Sequence, residues 1–245
     1  MSYPTLRLHP RKEESVLRFH PWIFSGAIAS FSAPVEDGDL VSVVDSKGRP
    51  LGTGHFGGGS IAARLLSFDA EEVIDRAFYK RRLEAALRLR LSCDLVRPVG
   101  SSDSPNTTYR LVHGEGDSLP GLIIDIYDRT AVVQAHSLGM HQARQTIAEV
   151  LWEVFAEAGD PVLPLEGIYY KSETTLPTRD MRELASDGFL IGHTEAAPIY
   201  ENGVRFTPDW LKGQKTGFFI DQRDNRALVA HYAKGRTVLN AFCYT

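Results

Sequence analysis

The sequence predicts an α+β fold followed by the beginning of an α/β domain. Residues 1–68 carry short, turn-rich apolar runs typical of β structure, residues 109–173 show a strand–strand–helix–strand order, and residues 237–244 form a mostly apolar run that suits a buried strand. The 245 residues are 43% hydrophobic and 24% charged, with a net charge of −4. These values exclude a wholly disordered chain and a uniformly basic nucleic-acid binder. No apolar run approaches the length of a membrane span, and the amino terminus lacks the apolar core of a secretory signal.

The first 68 residues predict a small, barrel-like β module. Two apolar runs flank the turn-rich residues 45–48, which indicates a hairpin. Gly57–Gly59 precede a further strand-like run. They suit a sharp bend, and alternatively a phosphate-binding loop, although no Lys-Ser/Thr pair follows them.

The pattern becomes helical at Asp69, which marks a domain boundary. Apolar residues recur at helical spacing from Ala70 to Leu91, and Asp69 is the candidate N-cap. A loop over 100–107 then leads into β structure over 109–137, with a tight hairpin at Asp128–Arg129.

A second amphipathic helix is predicted over 140–158, because Gly159 and Pro161 supply the usual stop chemistry. A strand over 168–173 follows. We therefore expect a central α+β domain over 69–195, between the β module at 1–68 and a third domain that begins at 196.

The third region begins with a hairpin over 199–209, signalled by Asn202–Gly203. A strand over 217–221, a helix over 223–234 and a buried strand over 237–244 are expected to follow. A strand buried on both faces needs neighbours that the remaining sequence does not supply. The expectation is therefore a fragment that ends just inside a larger α/β domain.

Four blocks of the sequence resemble consecutive signatures of one family. They are HPWIFSGAI at 20–28, RLVHGEGDSLPGLIIDIYD at 110–128, GQKTGFFIDQRDNR at 213–226 and VLNAFCYT at 238–245. The chain resembles the bacterial large-subunit (23S) rRNA 5-methylcytosine methyltransferase I family. That resemblance implies an amino-terminal PUA RNA-binding domain at 1–68, a central α+β domain, and a Rossmann-like methyltransferase domain that uses S-adenosyl-L-methionine. The chain stops inside the family's first methyltransferase motif, so the resemblance implies that this chain alone is inactive.

The resemblance implies that the β module docks rRNA, through phosphate neutralisation and base stacking. The expected RNA-binding residues are Arg18, His20 and Arg64, with the basic run Lys80, Arg81 and Arg82 as an extension. Taken alone, such a basic run suits solvated surface equally. Trp22 and Phe24 suit base stacking or the core of the module.

The segment Thr216–Arg226 suits a ligand site, because polar side chains at a strand-to-helix junction can meet a ligand at the edge of an α/β sheet. Helix capping by Asp221 is the alternative interpretation. With the resemblance, the expected residues around S-adenosyl-L-methionine are Gln222, Arg223, Asn240, Phe242, Tyr244 and Thr245.

No catalytic residue is expected within the chain. Cys243 lies in an apolar run without a neighbouring base, and Cys93 is expected to be inert; the resemblance places the nucleophilic cysteine beyond Thr245. The block His113–Asp117 suits a catalytic or metal loop, but a structural turn is favoured because no second His or Cys lies at ligand spacing. No metal site is predicted.

Two functions from different classes remain open. The first is part of a methyltransferase that modifies rRNA, with C5 of a cytosine or another base as the target; the second is a non-catalytic RNA-binding module. Two cysteines without a disulfide framework favour a reducing cytoplasm. The family resemblance is compatible with a homodimer, although no exposed apolar stripe in the sequence demonstrates one.

Overall fold

The first sheet has six strands, all from residues 5–67. The computed structural model describes residues 3–100, 104–177, 186–239 and 241. The sheet order is β2-β6-β5-β4-β1-β3, with β1 and β4 parallel and the other neighbours antiparallel. Its strands are β1 (Thr5–Leu8), β2 (Trp22–Phe24), β3 (Ile28–Phe31), β4 (Leu40–Val44), β5 (Pro50–Phe56) and β6 (Ile61–Ser67), and the short helix α1 (Glu14–Leu17) lies between β1 and β2.

The predicted hairpin at 45–48 joins β4 to β5. Asp45 is buried, and its carboxylate accepts hydrogen bonds from the backbone N–H groups of Lys47 and Arg49, both at 2.8 Å. Gly48 has φ +85°, a left-handed conformation that glycine adopts without steric cost. An apolar core that includes Leu6, Leu8, Val41, Val43 and Leu65 lies on the inner face of this sheet.

A second sheet has five strands in the order β11-β10-β9-β8-β7. Strand β10 runs parallel to β9 and is reached through helices, which confirms the predicted strand–strand–helix–strand order. Helices α2 and α4 pack together over one face of the sheet, on the largest apolar core of the described residues. The elements are α2 (Arg76–Ser92), β7 (Thr108–His113), β8 (Leu122–Tyr127), β9 (Thr130–Ala135), α3 (Leu138–Gln142), α4 (Arg144–Ala158), β10 (Gly167–Tyr170) and β11 (Gly188–Gly192).

Helix α2 begins six residues later than the sequence pattern predicts. Its N-cap is Asp75, whose carboxylate accepts from the backbone N–H of Phe78 at 2.9 Å. Asp69, the predicted cap, instead closes a local turn by accepting from the N–H of Glu71. Val73 is 60% exposed, whereas Phe78 in the first turn is fully buried, so the helix that Asp75 caps places its apolar residues in the core from its first turn.

The last described region lies on the opposite face of the second sheet. Strands β12 (Ile199–Glu201) and β13 (Val204–Phe206) form the predicted hairpin, with φ +48° at Asn202 and +82° at Gly203 as a type I′ turn requires. Ile199, Trp210 and Phe218 pack there against Tyr127 and other sheet residues.

The strand predicted at 217–221 is wrong. Gly217 has φ +121° and donates to the carbonyl of Gln214, and residues 220–222 form a 3-10 helix, so this stretch has no strand partner. Helix α5 (Arg223–Ala233) follows as predicted. The strand predicted at 237–244 falls mainly outside the described residues, and 237–239 are not in a strand. Within the described ranges, no helix has both the length and the apolar character to cross a bilayer.

Candidate functional site

Arg64 lies in β6, between the edge strand β2 and β5 of the first sheet. It stands opposite Trp22 on β2 and opposite His55 on β5. Its guanidinium makes one long hydrogen bond, Nη1 to the carbonyl of Ile61 at 3.5 Å, and burial lowers its pKa while Glu115 opposes that shift. A half-buried guanidinium with so few partners retains donors for an anionic ligand.

A direct contact joins the first sheet to the second at this edge. Trp22 Nε1 donates to Glu115 Oε1 at 2.7 Å, and the backbone N–H of Trp22 donates to Nδ1 of His20 at 3.2 Å. The rings of His20 and Trp22 meet edge to face with centroids 5.6 Å apart. The predicted RNA residue His20 therefore orients Trp22, and Trp22 is neither fully buried nor free.

His55 in β5 contacts helix α3, which gives a second contact between the first sheet and the central region. It is 6% exposed, and burial together with Arg64 lowers its pKa to about 4, so the ring is neutral at physiological pH. Gly139 of α3 lies against the ring: a Cβ added there would lie 2.2 Å from His55 Cγ. Only glycine allows this close approach.

The block His113–Asp117 has the predicted structural role. Gly114 has φ +48°, and Asp117 accepts from the backbone N–H of His113 and pairs with the buried Arg90 of α2 through both guanidinium nitrogens. Sequence reasoning missed Arg90 as the partner of Asp117, because no local spacing links residues 27 positions apart.

The other predicted RNA-binding residues differ in how free their charges are. Arg18 is exposed, with only a 3.9 Å pair to Glu14. Lys80 pairs with Glu157 at 2.8 Å, and the hydrogen bond that Lys80 donates to that carboxylate raises the pKa of Lys80. Arg81 and Arg82 both pair with a single carboxylate, that of Glu72, at 2.7 Å and 3.6 Å. These pairs neutralise part of the positive charge of the extension.

Of the predicted cofactor residues, the structure describes Gln222 and Arg223. Gln222 is exposed and accepts from Asn225 Nδ2 at 2.8 Å. Arg223 instead donates to the carbonyl of Thr108 in β7. No side chain caps the amino terminus of α5, so the alternative interpretation of this segment, capping by Asp221, is wrong. The predicted residues Asn240, Phe242, Tyr244 and Thr245 lie outside the described residues.

Buried polar contacts fix the loop that leads to this segment. Lys171 Nζ donates to the carbonyls of Trp210 at 2.9 Å and Gly213 at 2.6 Å, and burial lowers its pKa. Thr216 donates to the fully buried carboxylate of Asp125 at 2.6 Å. Lys171 and Asp125 were not predicted; the one signal was their position at the end and in the middle of apolar strands, where a charge requires a partner.

An ion pair holds α5 in the same way. Glu201, which is 3% exposed, accepts from Arg226 Nε at 2.7 Å and Nη2 at 2.6 Å, and its carboxylate lies 3.7 Å from Arg223 Nε. Among the described residues, no cluster of three His, Cys, Asp or Glu side chains could hold a metal ion.

Two domain families match the chain. A PUA-like domain matches residues 6–68, and the family described as S-adenosylmethionine-dependent methyltransferase matches residues 177–245. Proteins called Ribosomal RNA large subunit methyltransferase I from Shewanella amazonensis and Shewanella denitrificans are each 40% identical over 98% of this chain. The chain spans 57% of the length of each of these curated relatives.

Solved structures share the fold. A protein from Streptococcus mutans described as a SAM-dependent methyltransferase superposes with a TM-score of 0.73 at 20% identity, over 95% of this chain and 55% of its own. SMU.776, described as a methyltransferase complexed with SAH, gives a TM-score of 0.70 at 20% identity, over 92% of this chain and 52% of its own. These neighbours share the fold, and the sequence matches confirm the predicted resemblance to proteins in which a PUA-like domain precedes an S-adenosylmethionine-dependent methyltransferase region.

Proposed function

We propose that the chain is the RNA-docking and cofactor-bordering part of an enzyme that transfers a methyl group from S-adenosyl-L-methionine to a base of large-subunit rRNA, with C5 of a cytosine as the target. One observation carries the proposal: a relative called Ribosomal RNA large subunit methyltransferase I is 40% identical over 98% of the chain, which includes both the first sheet and the α5 segment.

The first sheet supplies the RNA-docking surface in this proposal. Arg64 keeps unused donors, and Arg18 is nearly unpaired and exposed. Both can neutralise phosphates, the main source of affinity for nucleic acid. Lys80, Arg81 and Arg82 contribute less, since each already has a carboxylate partner.

The α5 segment fits one wall of the cofactor site. The amino terminus of α5 has no side-chain cap, so its first-turn N–H groups are oriented to favour the carboxylate of the cofactor's amino-acid end. The exposed Gln222 amide can hydrogen-bond a polar group of the cofactor. Arg223, bonded to Thr108 and next to Glu201, positions the segment instead. S-adenosyl-L-methionine supplies the methyl group when it is bound.

The test is mass spectrometry of large-subunit rRNA from the source organism with and without the gene that encodes this chain. The proposed enzyme acts in the cytoplasm, where rRNA is made. We expect the rRNA of the deletion strain to lack one methylated base. Loss of a methyl group on cytosine C5 supports the full proposal, and loss at another base corrects the target. An unchanged methylation pattern would favour the non-catalytic RNA-binding alternative.

A further inference from the structure

A groove lies where the first sheet meets the loop after β7, beside the proposed RNA-docking surface. It encloses about 300 Å³. Phe19 and Phe68 line it from the first 68 residues, Arg82 lines it from α2, and Glu115 and Ser118 line it from the loop after β7. Arg18 and His20, both predicted RNA contacts, immediately flank Phe19 in sequence.

The backbone conformation and the exposure of Phe19 do not favour the stability of the fold. It is 74% exposed and has φ +62°. Helix α1 ends there in a Schellman motif: the N–H of Phe19 donates to the carbonyl of Val16, and the N–H of His20 donates to that of Ser15. The motif favours glycine at the position of Phe19. A bulky ring there is strained and buries little, so the ring adds little to the stability of the fold and is accessible to a ligand.

The lining of the groove combines aromatic rings with polar side chains. Phe68, 36% exposed, meets Phe19 edge to face with centroids 5.2 Å apart. Glu115 accepts a hydrogen bond from Trp22 through one carboxylate oxygen, and the guanidinium of Arg82 pairs with Glu72 and donates to the carbonyl of Leu66. An aromatic pair beside a carboxylate acceptor and a hydroxyl, next to the exposed Arg18, matches a nucleotide, whose base stacks, whose amino group donates and whose phosphate is anionic.

We propose that this groove binds one unpaired RNA nucleotide, with its base stacked on Phe19 and Phe68 and its amino group donating to Glu115. The inference rests on the proposed function, since it gives the RNA-docking surface a base-recognition subsite. Arg18, next to Phe19 in sequence, is exposed with a single 3.9 Å pair to Glu14, and this free cation favours an anionic occupant over an apolar peptide or a second copy of the chain. Because a carboxylate accepts hydrogen bonds, bases with amino groups bind better than uracil.

The experiment measures binding of the whole chain to a large-subunit rRNA fragment and to an oligocytidylate of about ten nucleotides, by fluorescence anisotropy over a range of salt concentrations. The variants are Phe19→Ala, Phe19→Leu and Phe19→Tyr. Phe31→Ala is the matched control, because Phe31 is 39% exposed and also meets an aromatic ring, Phe56, edge to face at 5.2 Å. Circular dichroism verifies that each variant is folded.

We expect Phe19→Ala and Phe19→Leu to weaken binding roughly 5-fold to 100-fold without changing the salt slope, because stacking is lost and no phosphate contact is. Phe19→Tyr and Phe31→Ala should bind within about 2-fold of the wild type. Oligocytidylate should bind more tightly than oligouridylate, and Glu115→Gln should remove that preference.

Four results would overturn the inference. Wild-type affinity in Phe19→Leu excludes base stacking but leaves the proposed function intact. An equal loss in Phe31→Ala shows a general effect of removing a ring. If Phe19→Ala converts a dimer to a monomer in sedimentation and leaves RNA binding unchanged, the groove holds a second copy. A wild-type chain that binds neither RNA refutes the RNA-docking proposal as well.

Discussion

Replacing Glu201 by glutamine tests how α5 is attached to the central domain. The residue is 3% exposed, and its carboxylate accepts two short hydrogen bonds from Arg226. Arg223 Nε lies 3.7 Å from the same carboxylate. Removing one partner of a buried pair costs about 3–5 kcal/mol, because the remaining charge is left buried without compensation. Arg226 keeps a hydrogen bond to the carbonyl of Phe219 at 2.9 Å and lies 4.4 Å from the centroid of the Phe218 ring. We therefore expect a loss at the lower end, about 3 kcal/mol.

The assay is urea-induced unfolding followed by tryptophan fluorescence, since Trp210 is buried in the cluster next to this pair. Hydrogen exchange of the α5 amides gives a local measurement of the same change. Glu149→Gln is the matched control: Glu149 pairs with Arg76 at 3.2 Å, but both side chains are nearly half exposed, so its loss should cost less than about 1 kcal/mol. Equal losses of unfolding free energy in the two variants would refute the argument that burial makes the Glu201 pair strong.

Three further substitutions test contacts elsewhere in the fold. His55→Gln should flatten the pH dependence of stability. Because the pKa of His55 is lowered to about 4 in the folded protein, the unfolded chain binds the proton first, and the wild type loses up to about 3 kcal/mol of unfolding free energy as the pH falls from 6.5 to 4. Parallel acid-unfolding curves of the variant and the wild type would contradict this. Gly139→Ala should destabilise the protein by about 1–3 kcal/mol in urea, because the added Cβ meets the His55 ring, whereas Gly26→Ala, with no atom within 4 Å, should not; equal effects would remove the steric argument. Asp75→Ala should cost about 1 kcal/mol as the loss of a helix cap and Asp69→Ala clearly less, and thermal unfolding that ranks them in the opposite order would return the cap to Asp69.

Turn and periodicity signals predicted most of the fold correctly. The Asn202–Gly203 hairpin and the helix that ends before Gly159 are local features, because the chemistry of the turn residues decides them without the rest of the chain. The start of α2 was misplaced because two aspartates offer equivalent caps, and burial of Phe78 selects Asp75. The strand predicted at 217–221 fails because Phe218 packs into a tertiary cluster and Gly217 has φ +121°, so the stretch does not pair with a sheet.

The candidate site was less predictable, because its contacts join distant residues. Arg64 and His20 were identified from residue type, but the Trp22–Glu115 bond spans 93 positions and the Thr216–Asp125 bond spans 91. Side-chain periodicity carries no information about such pairs. The domain boundaries at 68 and 195 and the individual RNA and cofactor contacts stay predictions.

The salt dependence of RNA binding by Arg64→Ala tests the central claim most directly. Arg64 keeps unused donors at the proposed docking surface, whereas the control Arg129 already pairs with Glu166 at 3.1 Å beside β9. The account predicts that the wild-type chain binds an rRNA fragment with an affinity that falls linearly on a log–log plot against salt. It also predicts that Arg64→Ala lowers the slope by about one unit and that Arg129→Ala leaves it unchanged. An unchanged slope in folded Arg64→Ala, and also in Arg18→Ala, would show that RNA docks elsewhere and would contradict the account.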